Sequence, residues 1–371
     1  MTADPVTGAW RIGDPPGRRQ FVTGPGALAL EAGGALPSFT LAYETWGTLN
    51  SDASNAILVE HALTGDSHAA GPLEPGHPNA GWWDALIGPG KAFDTDEYFV
   101  VVPNVLGGCQ GSTGPSSDLD GRPWGSRFPV VTVRDQVASE AVLADHLGIE
   151  RWAAVAGGSM GGMRALEWAV SLPERVASVL VLASTARASA EQIAWAAPQL
   201  HAIRSDPHFH GGDYYSAPSG PAAGLGIARR IAHVTYRSEP ELAQRFDRAY
   251  QGDEDPLRGG RFAVESYLDH HAAKLVRRFD ANSYLVLTES MNTHDVGRDR
   301  GGVAAALGRV TARAVIGGVD SDRLYPLYQT AEIAAGIPGT AEPSVVSSPY
   351  GHDSFLIESG QIASLVKALL G

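Results

Sequence analysis

The chain has 371 residues, 44% apolar and 19% charged, a balance that suits a globular protein with a large core and excludes disordered or collagen-like chains. Its net charge of −13 repels polyanions and no Lys/Arg-rich block relieves it, so no nucleic-acid partner is expected, and an anionic small ligand would require a local cluster of Arg or Lys. A single cysteine, Cys109, excludes an internal disulfide and a cysteine-built zinc site, and the 12 histidines show no HExxH-type spacing, so no metal is expected.

The amino terminus, MTADPVTGAWRIGDPPGRRQ, has no basic start leading into an apolar run. No segment reaches the roughly 18 apolar residues of a membrane span. A cytoplasmic protein with no membrane partner is the expectation. From residue 39, extended apolar runs alternate with helical stretches: FTLAYETW, NAILVEHAL, YFVVVPNV, the helix-like VRDQVASEAVLADHLG, RWAAVAG, the helix-like MRALEWAV, then VASVLVLAS. That alternation marks βαβ units around a mostly parallel sheet, and the continuously apolar runs suit strands buried on both faces.

Between about 186 and 299 the pattern turns to amphipathic helical segments, among them SAEQIAWAAPQLHAI, ELAQRFDRAY and VESYLDHHAAKLVRRF. This predicts an inserted helical cap over 186–299, with residues 1–185 and 300–371 forming the α/β core. The core pattern resumes with strand-like ARAVIGGV, a helix near 325–335, strand-like PSVVSS and a final helix, QIASLVKALL.

Between RWAAVAG and MRALEWAV stands Gly157-Gly158-Ser159-Met160-Gly161, a G-x-S-x-G turn of the kind that exposes a serine between a strand and a helix. Side chains two positions before or after that serine would strike the neighbouring strand or helix start. The amides that open the helix point at the site and favour a developing negative oxygen. A serine needs an oriented base, and in such folds the acid and then the histidine follow on loops after later strands. His352 in SSPYGHDSFL is the only histidine after His294 and is the candidate base. Asp320 and Asp322 both follow a strand end, and spacing does not separate them. A second oxyanion donor is expected from HALTGDSH, where the Leu63 amide would join that of Met160; the same segment also reads as a tight turn with Gly65 at a positive φ.

HALTGDSH, NVLGGCQGSTGPSS, GGSMGGMRALEW, FAVESYLDHHAAKLVRRFDANSYLVLTESMNTHDVGR, SDRLYP and YGHDSFL together resemble the homoserine O-acetyltransferase family of the α/β-hydrolase fold, from about residue 40 to the end. The resemblance implies a triad of Ser159, Asp322 and His352, with oxyanion donors on Leu63 and Met160. It implies homoserine contacts at Thr64, Arg229, Tyr236 and Asp353, and a homodimer joined through the cap. Acetyl-CoA would be the co-substrate and L-homoserine the acceptor, with no bound cofactor. A guanidinium for the carboxylate and a carboxylate for the ammonium suit a free amino acid. The same residues also fit a homoserine or serine O-succinyltransferase, or a serine esterase. The CoA pocket is not legible: KLVRRF offers Lys274, Arg277 and Arg278 to phosphates, but such a run is ordinarily the solvated face of a helix. Cys109 reads as a small buried residue.

Overall fold

A computed structural model describes residues 5–340 and 342–371; residues 1–4, where the amino-terminal stretch begins, lie outside it. Eight strands form the central sheet: β1 (Gln20–Thr23), β2 (Thr40–Trp46), β3 (Ala56–Glu60), β4 (Phe99–Pro103), β5 (Ala154–Gly158), β6 (Ser178–Leu182), β7 (Arg313–Val319) and β8 (Ser344–Val346). Their spatial order is β1-β2-β4-β3-β5-β6-β7-β8. Only β2 runs against its neighbours; from β4 to β8 every pairing is parallel. Residues of β3, β5 and β6 are buried throughout, as strands covered on both faces require.

Helices α1 (Val133–His146) and α2 (Met160–Ser171) precede β6, and α8 (Leu327–Gly336) and α9 (Ser359–Leu370) follow β7 and β8. Five helices of eight or more residues are inserted between β6 and β7, namely α3 (Ala190–Arg204), α4 (Ala222–Tyr236), α5 (Glu239–Phe246), α6 (Ala263–Val276) and α7 (Ala281–Asn292), followed by a short one at Val303–Leu307. Two of the expected helical segments run short. The stretch ELAQRFDRAY leaves the helix after Phe246, where Asp247 adopts φ 43°, and VESYLDHHAAKLVRRF ends at Val276. Among the described residues no helix is long and apolar enough to cross a membrane.

Capping separates the functional helix from the structural ones. Thr132 and Asp135 close a reciprocal cap on α1, Ser189 and Gln192 do so on α3, and Asp280 accepts the Ser283 amide of α7 at 2.9 Å. Helix α2 has no side-chain cap. Its N-cap residue is Ser159, whose hydroxyl is turned elsewhere, so the first amides of the helix stay available to a ligand.

Candidate active site

Ser159 sits between β5 and α2 at φ 58°, ψ −124°, a conformation that costs a non-glycine residue strain and is held by the elements on either side. Its neighbours have to be glycine. A Cβ on Gly157 would lie 2.3 Å from the Gly161 carbonyl oxygen, and one on Gly161 would lie 2.1 Å from that of Glu60. The start of α2 is therefore pressed against the end of β3, where the segment His61–His68 begins. The Leu63 and Met160 side chains pack in the same buried cluster, and Leu63 and Met160 carry the two candidate oxyanion amides. Gly65 closes a turn by donating to the Ala62 carbonyl at 2.8 Å, but its φ is not positive; what requires glycine there is the His61 Cβ, 2.9 Å from where a side chain would start.

The Ser159 hydroxyl lies 2.9 Å from His352 Nε2, and His352 Nδ1 lies 2.6 Å from Asp322 Oδ2. The other Asp322 oxygen accepts the Leu324 and Tyr325 amides at 2.8 and 2.9 Å, which fixes the carboxylate. Asp320 faces the other way: its oxygens accept the Ser348 amide and the Ser347 hydroxyl. Burial alone would drive the His352 imidazole down, but the charge and hydrogen bond of Asp322, with Asp353 beyond, outweigh it and hold the pKa above the ordinary value. Tyr325 stacks on the His352 ring at 4.9 Å and Phe355 meets it edge-on at 5.4 Å. These aromatic neighbours screen the base from water, and no rule of spacing in the sequence points to them.

Arg229, on α4, reaches Thr64 Oγ1 with Nη1 at 3.2 Å, and its guanidinium stands over the Tyr236 ring at 5.6 Å. Tyr236 in turn lies 5.7 Å from the His352 ring. Asp353 and Arg229 line one cavity of about 220 Å³ with His233, His271, Lys274 and Arg278. Burial pushes the Asp353 carboxyl up, against the pull of His352, Arg229 and Arg237. A second, smaller cavity of about 50 Å³ is lined by Leu63, Met163, Trp195, Leu324 and Tyr325, with neutral Gln and Asn side chains. No cation lines it among the described residues. Cys109 is buried in the same cluster as Leu63 and Met160, and burial pushes its thiol well up, which makes it inert.

Two buried networks hold these loops. Arg164 of α2 contacts Glu60 at 3.0 Å and Glu140 at 2.8 Å, and donates to the His61 carbonyl at 3.0 Å. Burial and the neighbouring Glu140 push the Glu60 carboxyl well up, against the pull of Arg164. At the far end of the loop, His68 Nδ1 lies 2.9 Å from Glu44 and its Nε2 lies 3.1 Å from the Pro72 carbonyl oxygen. Both ring nitrogens face acceptors, and against burial the hydrogen bond and charge of Glu44 hold the His68 imidazole above its ordinary pKa. Glu44, His68 and His77 bring three potential metal-ligating atoms within 4.8 Å, a grouping that sequence spacing did not suggest. Their geometry opposes a metal. The two imidazoles are stacked at 3.9 Å and 10°, so their in-plane lone pairs run parallel instead of converging. His77 Nε2 already accepts the Arg18 amide at 3.1 Å.

The chain matches the α/β hydrolase fold family over residues 55–359. It is 67% identical over 368 residues to a homoserine O-acetyltransferase of Thermobifida fusca (strain YX), covering 99% of this chain and 97% of that protein. The crystal structure of homoserine O-acetyltransferase from Bacillus anthracis superposes with a TM-score of 0.86 at 28% identity, covering 95% of this chain and 98% of that one. Esterase E22 superposes equally well, TM-score 0.86 at 26% identity over 95% of this chain and 99% of its own. Backbone likeness therefore does not choose between acyl transfer and hydrolysis; sequence identity and the site do.

Proposed function

The chain belongs to the homoserine O-acetyltransferase family of the α/β hydrolase fold, and from that membership and its site we infer that it transfers acetyl from acetyl-CoA to the hydroxyl of L-homoserine, giving O-acetyl-L-homoserine for methionine biosynthesis. Ser159, deprotonated by His352, attacks the thioester carbonyl, and the Leu63 and Met160 amides hold the oxyanion. The proton passes from His352 to the departing thiolate, leaving acetyl-Ser159. Homoserine then gives its hydroxyl proton to His352 and attacks the acetyl group; the bond between the acetyl carbon and the Ser159 oxygen breaks, and His352 returns the proton to Ser159 as O-acetyl-L-homoserine leaves. Asp322 keeps His352 in the required tautomer.

The observation that carries this reading is that Arg229 and Asp353 line one cavity, Arg229 donating to Thr64 Oγ1 and Asp353 following His352 in the chain. A hydrolase has no use for opposite charges placed to receive a carboxylate and an ammonium, whereas a free amino-acid acceptor requires both. Tyr236, under Arg229, fixes the guanidinium. The cavity of about 50 Å³ beside Leu63 and Tyr325, without a cation in its lining, suits a methyl group and not a succinyl carboxylate. The inserted helices act as a cap over 186–299 that keeps water from the acetyl-enzyme. They expose Ile193, Ile227, Tyr250 and Leu257, apolar surface suited to joining two copies in a cytoplasmic homodimer; sedimentation equilibrium returning a monomer would remove the dimer.

Thiol release from acetyl-CoA and succinyl-CoA, with and without homoserine, tests the reaction. Homoserine-dependent release from acetyl-CoA, reduced by a factor on the order of 10⁶ in Ser159→Ala, is the expected result. Preference for succinyl-CoA would transfer the assignment to a succinyltransferase, and release without an acceptor to an esterase.

A further inference from the structure

One homoserine molecule brings one carboxylate, yet three cations surround the cavity beside the base. Arg229, Lys274 and Arg278 all line it, and among the described residues none has a carboxylate within 4.0 Å. In a chain of net charge −13, three unpaired cations around one opening are a local exception to the overall field. Burial and the neighbouring Arg278 and Arg229 push the Lys274 ammonium down, as expected of positive charge without a counter-ion.

Polar atoms at this cavity also lack partners. Arg229 Nε and both ring nitrogens of His233 are buried without a hydrogen bond, and His233 is only 4% exposed. A buried polar atom left unpaired costs free energy until a ligand completes it. His271 packs against the His233 ring at 4.0 Å. His271 and Lys274 on α6 and Arg278, two residues beyond its end, follow helical spacing along one face, while Arg277 does not line the cavity. Arg278 spends one donor on the Thr64 carbonyl at 2.7 Å, beside the Leu63 amide, so the cationic face leads inward to the nucleophile. The same cavity is lined by Leu356 and Ile357, apolar side chains 37% and 42% exposed.

We propose that this face of α6, Lys274 and Arg278 with His271, is the site that binds the phosphate groups of acetyl-CoA, the pantetheine arm running past Leu356 and Ile357 toward Ser159. The assignment rests on the acetyltransferase reading. Arg229 is left to the acceptor's carboxylate, and the two ligands occupy the opening in turn, as an acetyl-enzyme mechanism requires.

Homoserine-dependent thiol release from acetyl-CoA and from acetyl-pantetheine, which carries the same thioester and arm without nucleotide phosphates, tests the site. Lys274 is exposed, so Lys274→Ala folds. Its expected effect is a fall of about tenfold in the kcat/KM ratio of acetyl-CoA over acetyl-pantetheine, with weaker competitive inhibition by adenosine bisphosphate. Arg277→Ala, exposed on the same turn and outside the cavity, keeps the wild-type ratio. An unchanged ratio in Lys274→Ala, or an equal loss with both donors, overturns the phosphate site while leaving the acetyltransferase standing. Absence of homoserine-dependent release from either donor in the wild type removes the acetyltransferase reading itself.

Discussion

One wholly buried arginine and two half-buried ones reach the segment His61–His68, and they are treated in opposite ways. Below it, Arg164 is wholly buried and its charge is answered by Glu140 and by Glu60, with the His61 carbonyl taking a further donor. Above it, Arg229 and Arg278 reach the same loop at Thr64 and have no carboxylate partner among the described residues. A charge that is answered within the protein holds the fold, whereas one left unanswered in a cavity is kept for something that comes and goes.

Substitution breaks or sharpens that contrast. Arg164→Met leaves the Glu140 carboxylate buried with the Trp168 N–H but no counter-ion and is expected to lower stability by about 3–5 kcal/mol in urea denaturation, with Glu140→Gln restoring part of it. A neutral outcome would mean that the lower cluster is not the anchor of the loop. Arg229→Met removes a cation with no partner, so stability stays within about 1 kcal/mol of wild type. Its cost appears in kinetics instead, as a fall of about 100-fold in kcat/KM for homoserine. Loss of stability without that kinetic loss would place Arg229 with Arg164.

The smallest effect is on pH dependence. His352 acts as a base only when neutral, and its pKa is held above the ordinary value of about 6.5. Falling pH protonates it, so the acid limb of kcat/KM for acetyl-CoA has its midpoint above about 6.5. Asp353 is one of the carboxylates that raise it. In Asp353→Asn that limb moves to lower pH; a limb moving upward would contradict the charge assignment at the cavity.

Some of this was legible in the residue order and some was not. Ser159 announces itself because strand, turn and helix are local and the two flanking glycines are forced by contacts at 2.1–2.3 Å. The two aspartates after β7 share one turn, and only the folded chain shows that Asp320 is spent on Ser347 and Ser348 while Asp322 faces His352. In KLVRRF the sequence offers three cations alike; the point at which α6 ends decides that Lys274 and Arg278 line the cavity and Arg277 does not. His233 gave no signal, because a histidine on an amphipathic helix reads as packing until its two unpartnered nitrogens are seen. The edge strand β1 was also unreadable: QFVT has only Val22 buried, too little pattern for a strand that β2 holds by pairing.

The triad is assembled from distant parts of the chain: 193 residues separate Ser159 from His352, and 30 separate Asp322 from His352. During synthesis, the elbow and the first six strands leave the ribosome well before the base does. Contacts of such sequence separation are slow to close, because the intervening chain must be ordered first. A nascent or truncated chain therefore carries a strained but unactivated hydroxyl and cannot form an acetyl-enzyme. The order of the chain itself keeps an unfinished molecule from consuming thioesters.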